Sequence, residues 1–501
     1  MKLLKVLNTL EYAVLAGRPY LDSADIEDIV YDSRKARNDN LFVCLVGANT
    51  DGHRYALKAC EQGCRMFVVQ DGVQIPEELL QTEGILVVSV PDTRAALAVM
   101  SDNFFDHPSS KLKVIGITGT KGKTTTTHII KSVLDSLGYS AGLIGTVGAV
   151  WGEKRVQTVN TTPESYETQK LLYQMANDGV KAVAMEVSSL GVKSHRVDHI
   201  KFFCGVFTNI SPDHIGGNEH ASYEEYYSCK KMFFNMCETA VGCIDDAATE
   251  DMLSAVSGRK IYYGFDANAE FRAANVSSTR SGEFLGTGFD FFQNGENKGR
   301  CEISIPGYFS AHNALAALSV VSLLGVPFAS ACPALRTVQV SGRSQIVYMS
   351  DDFGIIIDYA HNGVSLKSII ETMRDYKPKR IISLFGTVGG RAQVRREELG
   401  RVAAVMSDYT ILTADDPDFE DPEAIAKEVA GYLVAENPEA EYTIIPDRAE
   451  AIDFAVGMLV PGDMLLLCGK GHEKFMKVNG EKIPFDEIEC VKSALKKRDI
   501  N

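Results

Sequence analysis

Short apolar runs alternate with longer amphipathic segments along most of this 501-residue chain. A run of about four to eight apolar residues between turn residues is typical of a buried strand, whereas apolar positions spaced by about 3.6 residues are typical of a helix. The alternation therefore predicts an α/β fold. Strands are predicted at residues 41–46, 66–69, 85–90, 182–187, 205–208, 355–358, 380–385, 409–413 and 463–468, with another that begins at Val114.

The length of the chain predicts about three domains, because a domain typically holds about 150 residues. A polar stretch at residues 106–111 resembles a linker between the first and second strand series, and the third series begins after residue 343. We expect three α/β domains with a parallel or mixed central sheet. Their predicted bounds are 1–109, 110–337 and 338–501.

Charge and composition limit the classes of partner and compartment. The formal net charge of -15 argues against a surface for nucleic acid or an anionic membrane, since either partner would repel it. The eleven cysteines are scattered, which is typical of reduced core residues in a cytosolic protein. An export signal is not expected, because Lys5 and Glu11 interrupt the N-terminal apolar run.

One uncharged segment, residues 303–335, is long enough to span a bilayer. Pro306-Gly307 and Gly325-Val-Pro327 interrupt it, and His312-Asn313 lie early in its central part. Because proline and glycine end helices, at most about twenty residues remain for a helix there. We therefore predict a buried helix packed on a sheet, not a membrane span.

The run from Val114 to Thr127 carries the most informative chemistry. It predicts a buried strand, a glycine-rich turn and then a helix that starts near Lys123-Thr124. Gly119 and Gly122 would let backbone N–H groups surround phosphate oxygens, while Lys123 would supply positive charge and Thr124 a hydroxyl for Mg²⁺. An ordinary strand-to-helix turn would account for the glycines but not for Lys-Thr directly after them.

Polar residues also follow other predicted strands, where ligands bind in open α/β sheets. Glu186 ends one apolar strand and Asp213-His214 follows the next, which suggests a second Mg²⁺ site near the phosphates. Helix capping by Glu186 and a core position for His214 are the alternatives. Two further polar groups, Asp415-Asp-Pro-Asp418 and Lys470-Gly-His-Glu473, could each be an ordinary turn.

These residues together resemble the Mur ligase family, and within it the type that adds the third amino acid to UDP-N-acetylmuramoyl-dipeptide. The resemblance covers essentially the whole chain. It rests on Asp32-Ser-Arg34, Leu41-Phe-Val43, Asp51-Gly-His53, Thr118-Gly-Thr-Lys-Gly-Lys-Thr-Thr125, Asn160-Thr-Thr-Pro-Glu164, Met185-Glu-Val-Ser-Ser189, Arg196-Val197, Thr208-Asn209, Asp213-His214, Asp358-Tyr-Ala-His361 and Gly469-Lys-Gly-His-Glu473.

The resemblance implies an ATP- and Mg²⁺-dependent amide ligase whose N-terminal domain binds UDP and whose C-terminal domain is Rossmann-like. The residues it implies for ATP are Gly119, Thr120, Lys121, Gly122, Lys123, Thr124, Thr125, Asn313, Arg343, Asp358 and His361. Those implied for the UDP-muramoyl-dipeptide are Ser33, Arg34, Asn160, Thr161, Thr162, Ser188, Ser194 and Arg196. Those implied for catalysis are Lys123, Glu186, His214 and Lys230, and for the metal Thr124, Glu186, His214 and Lys230.

In this family a lysine after the Asp-His motif is carbamylated, which turns an ammonium into a carboxylate-like Mg²⁺ ligand. Lys230 aligns best with that lysine, and Lys231 is the alternative, as is an ordinary solvated lysine pair. The chain departs from the family at Leu190, where histidine is frequent, and at Ser194, where glutamine is frequent. Both departures bear on the contacts to the muramoyl-dipeptide.

The incoming amino acid would be bound by Arg396 through its α-carboxylate and by Asp415, Asp416, Asp418, Gly469 and Glu473. Enzymes of this type that take meso-diaminopimelate carry Asp-Asn-Pro-Arg, where this chain has Asp415-Asp-Pro-Asp418. A carboxylate facing the substrate's distal carboxylate would repel it, whereas these acids would attract a distal ammonium. The prediction from sequence is L-lysine, with ornithine and meso-diaminopimelate as alternatives.

Two other hypotheses remain at this stage. One is another ligase of the superfamily, of the folylpolyglutamate or cyanophycin type, against which Asp32-Ser-Arg34 argues. The other is an inactive paralogue that binds UDP-muramoyl-peptides or ATP. Leu190 and Ser194 favour this hypothesis, and it is opposed by Lys123, Glu186, His214 and Lys230. We expect a cytoplasmic, monomeric protein with small-molecule substrates and neither nucleic-acid partner nor membrane span.

Overall fold

The computed structural model describes residues 1–47, 50–213, 215–217, 219–390 and 393–500. The chain forms two compact units. The first comprises Met1–Glu270 and Ser319–Gly325, and the second comprises Phe271–Leu318 and Val326–Asn501. Each unit contains parallel strands alternating with helices, which confirms the α/β class.

The first sheet of the first unit has five strands in the order β1-β5-β4-β3-β2, all parallel except β1. Successive residues on its strands point to opposite faces, so that Phe42 and Val43 belong to different hydrophobic clusters. The strands are β1 (Ala13–Ala16), β2 (Asp28–Val30), β3 (Asn40–Val43), β4 (Met66–Gln70) and β5 (Leu86–Val90). The helices are α1 (Leu3–Val6), α2 (Ala56–Glu61), α3 (Glu77–Leu80) and α4 (Thr93–Phe104).

A second sheet of the first unit follows the order β13-β12-β11-β6-β10-β7-β8-β9, with β8 and β9 antiparallel. The strands are β6 (Lys113–Thr118), β7 (Ala141–Gly145), β8 (Gly148–Trp151), β9 (Lys154–Val156), β10 (Ala182–Glu186), β11 (Phe202–Phe207), β12 (Cys237–Cys243) and β13 (Lys260–Gly264). The helices are α5 (Lys123–Ser136), α6 (Ser165–Asn177), α7 (Ser189–Lys193), α8 (Tyr223–Phe233) and α9 (Thr249–Met252). Because β6 lies between β10 and β11, the three segments that follow these strands share one edge.

Side chains of α6 connect the two sheets of the first unit. The Tyr166 hydroxyl donates to the Asp28 carboxylate, and the Tyr31 hydroxyl donates to Glu167. The predicted linker is also packed, because Ser109 is buried and its Oγ accepts a hydrogen bond from the Lys201 backbone N–H at 3.1 Å. These contacts explain why residues 1–270 form one compact unit although the sequence shows two strand series.

The second unit begins with an antiparallel meander that sequence analysis missed: β14 (Phe271–Ser281), β15 (Phe284–Gln293) and β16 (Glu296–Ile303). Its strands contain many polar and glycine residues, so the apolar signal is weak there. The next helix, α10 (Phe309–Leu323), is buried along most of its length, as predicted, and α11 (Phe328–Ala334) follows. Within the described residues, no helix has both the length and the apolar character needed to cross a membrane.

A third sheet, also in the second unit, has the order β17-β18-β22-β19-β20-β21 and is parallel apart from β17. A hairpin of β23 and β24 follows it. The strands are β17 (Gln345–Met349), β18 (Gly354–Asp358), β19 (Arg380–Phe385), β20 (Tyr409–Leu412), β21 (Tyr442–Ile444), β22 (Asp463–Cys468), β23 (Phe475–Val478) and β24 (Glu481–Pro484). The helices are α12 (Gly363–Arg374), α13 (Gln393–Met406), α14 (Pro422–Glu436), α15 (Arg448–Gly457) and α16 (Glu487–Lys497).

The expectation that all cysteines are reduced is wrong for one pair. Cys301 on β16 and Cys332 on α11 form a disulfide, with their Cα atoms 5.6 Å apart. That separation lies within the usual range for a disulfide, but the two residues are 31 positions apart in sequence, so no local spacing indicated it. Nine other cysteines are free, and seven of these are buried.

Candidate active site

The loop between β6 and α5 has the geometry of a phosphate-binding turn. Gly119 has a φ of 148°, and a Cβ there would lie 2.0 Å from the Thr208 hydroxyl, so only glycine fits. The Lys123 ammonium donates to the Gly119 carbonyl at 2.8 Å and to the Thr120 carbonyl at 3.1 Å. Helix α5 starts at Lys123, as predicted, and the positive end of its dipole makes this terminus a favourable site for an anion.

Glu186 lies beside this turn although it is almost fully buried. Its Oε2 accepts a hydrogen bond from the Thr124 hydroxyl at 2.8 Å, and its Oε1 accepts one from the Thr146 backbone N–H at 2.9 Å. The Thr146 hydroxyl also lies 3.2 Å from that of Thr161. The structure thus brings together three predicted residues, Thr124, Glu186 and Thr161, around a set of hard oxygen donors that suits Mg²⁺.

Lys230 on α8 is the second unusual charge at this turn, with only 1% of its surface exposed. Its ammonium donates to the Gly119 carbonyl at 2.9 Å and lies 4.6 Å from the centre of the Tyr226 ring. Burial, with repulsion from Lys123, lowers the pKa of Lys230 well below its usual value. Lys231, in contrast, is partly exposed and pairs with Asp251 at 2.6 Å, so Lys230 is the lysine that faces the phosphate turn. The predicted His214 lies outside the described residues.

A polar group next to Glu186 contains most of the residues predicted for the muramoyl-dipeptide. The Thr162 hydroxyl lies 3.0 Å from both the Glu186 carbonyl and the Ser188 hydroxyl. Arg196 donates to the Thr162 carbonyl at 3.2 Å and pairs with Glu164 at 2.9 Å. Asn160 and Ser194 are half-buried nearby in sequence, and Ser194 ends α7.

Ser33 and Arg34 follow strand β2 of the first sheet. Ser33 is buried, whereas the Arg34 side chain is 82% exposed and forms an ion pair with Asp32 at 2.7 Å. Arg94 on α4 pairs with Glu164 at 3.0 Å, so Glu164 contacts cations from both sheets. Sequence analysis did not single out Arg94.

The remaining residues predicted for the nucleotide lie in the second unit. Asp358 ends β18 and accepts a hydrogen bond from the Ser344 backbone N–H at 2.7 Å, while Arg343 lies over the Tyr359 ring. Burial raises the pKa of Asp358 and lowers that of His361. Both shifts favour the neutral side chains. The remaining predicted residue, Asn313, is half-buried on α10.

At the ends of β20 and β22 lies a group we call the acid–lysine cluster, which consists of Asp415, Asp416, Lys470 and Glu473. The buried Lys470 ammonium lies 3.4 Å from Asp415, 2.7 Å from Asp416 and 2.8 Å from Glu473. Burial raises the pKa of Asp415 to about 6, although Lys470 opposes that rise. Burial disfavours the charge on Lys470, but its three carboxylate partners raise its pKa overall.

This pairing corrects the electrostatic picture drawn from sequence. The acids were expected to face a substrate ammonium, but Lys470 already supplies an ammonium to three of them. Asp418 is also engaged: it pairs with Lys477 at 2.5 Å and accepts a hydrogen bond from the Gly480 N–H at 2.8 Å, which anchors the β23–β24 hairpin. The cluster of three acids and one lysine therefore carries less negative charge than its acids alone indicate.

Arg396 and Gly469 complete the predicted amino-acid site. The Arg396 guanidinium is buried and pairs with Glu420 at 2.8 Å and with Glu428 at 2.5 Å, partners that sequence analysis did not foresee. Gly469 has a φ of 108°, and a Cβ there would lie 3.0 Å from an Asp415 carboxylate oxygen. Because Gly469 has no Cβ, the chain after β22 can approach Asp415 closely.

Sequence reasoning missed Thr146, and it noted Lys470 without giving it a role. Lys470 stands inside the Gly469-Lys-Gly-His-Glu473 motif, so its position at a strand end was a usable signal. Thr146 had no such signal. It lies in the turn between β7 and β8, and only the fold brings it beside Glu186.

Known protein families match the parts of the chain that form these sites. Three family models match successive parts of the chain: the Mur ligase family, catalytic domain at residues 25–105, the Mur ligase middle domain at 117–321, and the Mur ligase, glutamate ligase domain at 342–471. The matched segments cover most of the chain and include the phosphate turn, Glu186, Lys230 and the cluster up to Gly471.

Two relatives that align with almost the entire chain carry the same name. A UDP-N-acetylmuramoyl-L-alanyl-D-glutamate–2,6-diaminopimelate ligase of Caldanaerobacter subterraneus is 38% identical over 496 residues, covering 99% of both chains. One from Clostridium botulinum is 36% identical over 499 residues, covering 99% of this chain and 100% of the relative.

Solved structures show the same fold. A structure of a UDP-N-acetylmuramoyl-L-alanyl-D-glutamate–2,6-diaminopimelate ligase covers 100% of both chains at 24% identity, with a TM-score of 0.70. MurF ligase from Thermotoga maritima, in complex with ADP, covers 95% of this chain and 97% of its own at 17% identity, with a TM-score of 0.56. The chain therefore belongs to the Mur ligase family, whose members are ATP-dependent ligases.

Proposed function

We propose that this ligase joins a diamino acid to UDP-N-acetylmuramoyl-L-alanyl-D-glutamate in peptidoglycan precursor synthesis, in the cytoplasm. The observation that carries the proposal is the arrangement of Lys123, Thr124, Glu186 and the buried Lys230 at one edge of the central sheet. The names of relatives that align over almost the entire chain supply the acceptor. An inactive paralogue would have no need to keep a buried lysine at the phosphate turn.

The chemistry requires two steps. The substrate carboxylate attacks the γ-phosphorus of ATP, which forms an acyl phosphate and releases ADP. The amine then attacks the acyl carbon, the amide forms, and phosphate leaves with a proton passed to solvent. Since charge builds up on phosphate oxygens in both steps, the protein acts mainly by positioning and by neutralising charge.

The three predicted domains divide these tasks in our proposal. Residues 1–109, including Ser33 and Arg34, would hold the UDP group, and residues 110–337 would hold the phosphates. Thr161, Thr162, Ser188 and Arg196 would bind the muramoyl-dipeptide, and their position beside Glu186 supports this assignment. Residues 338–501 would hold the nucleotide through Asp358 and His361 and would bind the incoming amine.

The ligands we propose for Mg²⁺ are the Thr124 hydroxyl, Glu186, His214, which lies outside the described residues, and Lys230 as its carbamate. A carbamate forms when the neutral lysine amine attacks CO₂ and loses a proton, so the burial of Lys230 beside Lys123 prepares it for that reaction. The carbamate would add a negative oxygen ligand where an ammonium would repel the metal. When bound, Mg²⁺ would neutralise the phosphate oxygens.

The identity of the amino acid rests on two observations that favour different candidates. The relatives' names favour 2,6-diaminopimelate, which has both an ammonium and a carboxylate at its distal end. The excess of acids over Lys470 in the acid–lysine cluster favours L-lysine, which has only the ammonium. We place diaminopimelate first, because Lys470 and Lys477 neutralise part of the negative charge from which lysine was inferred.

The test is amine-dependent phosphate release from ATP and Mg²⁺ with UDP-N-acetylmuramoyl-L-Ala-D-Glu. Diaminopimelate, L-lysine and ornithine are compared by kcat/KM. Release with a diamino acid supports the ligase, and the preferred amine decides between the two candidates. Silence with all three amines would contradict the proposed function and favour a different acceptor or a binding role.

A further inference from the structure

Arg448 lies beneath the acid–lysine cluster and joins the two chain segments that form it. The segment after β20 carries Asp415 and Asp416, and the segment after β22 carries Lys470 and Glu473. In the sheet these strands are separated by β19, so neither segment can hold the other by strand pairing. Besides the contacts that Lys470 makes with Asp415 and Asp416, a further group links the backbone of the two halves.

The Arg448 guanidinium spans this gap. Its Nη1 donates to the Ala414 carbonyl at 2.9 Å, directly before Asp415, and its Nη2 donates to the Cys468 carbonyl at 2.8 Å, two residues before Lys470. The planar guanidinium holds its donors in a fixed fork, so the two carbonyls are held at a fixed separation. A lysine could not make both contacts with the same geometry.

Glu487 fixes the guanidinium itself. Its Oε1 accepts from Arg448 Nε at 2.8 Å and from Nη2 at 2.6 Å, and both side chains are 2% exposed or less. Arg448 is the first residue of α15 and Glu487 is the first residue of α16. The ion pair therefore anchors the beginnings of two helices against the two strand ends.

We propose that Arg448 is a positioning residue for the incoming amino acid: it holds the two halves of the acid–lysine cluster at the separation that binds the substrate amine. This inference rests on the proposed function of the cluster as the amino-acid site. Arg448 itself, being buried under the cluster, acts through Asp415 and Lys470 and not by touching substrate.

The charge of Arg448 adds a second effect. Asp415 faces two cations, Lys470 and Arg448, and two acids, Asp416 and Glu473. Removing one cation would raise the pKa of Asp415 further, so that more of it is protonated near neutral pH.

The experiment compares Arg448→Lys, Arg448→Met and Glu487→Gln with the wild-type chain. Phosphate release gives separate KM values for the amino acid, ATP and the UDP-muramoyl-dipeptide, and thermal unfolding reports the fold. We expect the amino-acid KM to rise about 10- to 100-fold in both Arg448 variants and less in Glu487→Gln, with the other two KM values within about twofold. In Arg448→Met, the rise in amino-acid KM at low pH should also begin at a higher pH than in the wild-type chain. In Arg448→Lys that pH should be unchanged.

Arg380→Lys is the matched control. Arg380 pairs with the buried Asp463 at 2.9 Å and 2.6 Å, and these residues begin β19 and β22 at the opposite edge of the same sheet. It should lower thermal stability without changing the amino-acid KM. If Arg448→Met does not fold, the amino-acid KM values of Arg448→Lys and Glu487→Gln test the positioning role, because each of these variants retains a side chain of similar volume.

Two results would overturn the inference: an amino-acid KM unchanged in Arg448→Lys, or equal increases in all three KM values. Failure of the proposed function looks different. In that case the wild-type chain itself releases no phosphate with any amine, before any variant is compared.

Discussion

The phosphate turn and the acid–lysine cluster are both built at the carboxyl ends of parallel strands, yet they use charge differently. At the phosphate turn, the Lys123 and Lys230 ammonium groups both donate to backbone carbonyls of the turn. In the cluster, Lys470 contacts three carboxylates. In the first arrangement two ammonium groups lie together at a turn that suits an anion, whereas in the second one ammonium is shared among three carboxylates of the cluster itself.

The largest effect is expected from Lys230→Ala. If Lys230 serves as a carbamate, its loss should lower kcat by at least about 10³-fold, since it removes a metal ligand and a buried charge at the phosphates. Lys231→Ala is the control, because Lys231 pairs with Asp251 near the surface. Phosphate-release kinetics measure the loss, and a short carboxylic acid should partly restore activity to Lys230→Ala.

Carbamylation itself is checked with isotope-labelled bicarbonate and carbon NMR. A carbamate signal in the wild-type chain that is absent from Lys230→Ala supports the assignment. Wild-type activity in Lys230→Ala would contradict it.

Lys470→Met should have the next largest effect, on stability. It leaves Asp415, Asp416 and Glu473 close together without their shared cation, and breaking a buried ion pair in this way costs about 3–5 kcal/mol. Denaturant unfolding of Lys470→Met measures the change. Lys477→Met, on the more exposed hairpin pair, is the control and should cost about 1 kcal/mol or less. A similar cost for both variants would show that the cluster does not depend on Lys470.

The pH dependence of the cluster follows from Asp415, whose pKa burial raises to about 6. As the pH falls through about 6, Asp415 gains a proton and the cluster loses negative charge, so the KM for a diamino acid should rise while that for ATP does not follow it. Stability changes in the opposite direction. Because the folded pKa lies above the usual value near 3.9, the contribution of Asp415 to stability is present below about pH 4 and is lost as the pH rises through about 6.

Asp415→Asn separates the two effects. It should flatten both the rise in amino-acid KM and the change in unfolding free energy between about pH 4 and about pH 6. Paired KM and denaturation measurements across this range test it. An unchanged acid limb in Asp415→Asn would assign the titration to another group.

The contrast also explains what could be predicted from sequence. The α/β class, the start of α5 at Lys123 and the β19 and β22 bounds follow from local patterns, and the structure confirms them. The pairing of Thr124 with Glu186 was also accessible, because Thr124 follows β6 and Glu186 ends the neighbouring parallel strand β10. The contacts of Arg448 with Glu487 join residues 39 positions apart, so only the folded chain shows them. The β14–β16 meander was missed because its polar strands lack an apolar signal.

The smallest effect, and the sharpest test of the cluster's outer edge, is expected from Asp418→Asn. Asp418 was predicted from sequence to attract the substrate, but its carboxylate pairs with Lys477 and accepts from the Gly480 N–H. Its φ of 52° suits asparagine, so the substitution removes charge without backbone strain. If Asp418 chiefly anchors the hairpin, stability should fall by about 0.5–1 kcal/mol and the amino-acid KM should change less than about twofold. A large shift in the preference between diaminopimelate and lysine would instead place Asp418 in the recognition of the distal group, as the sequence alone suggested.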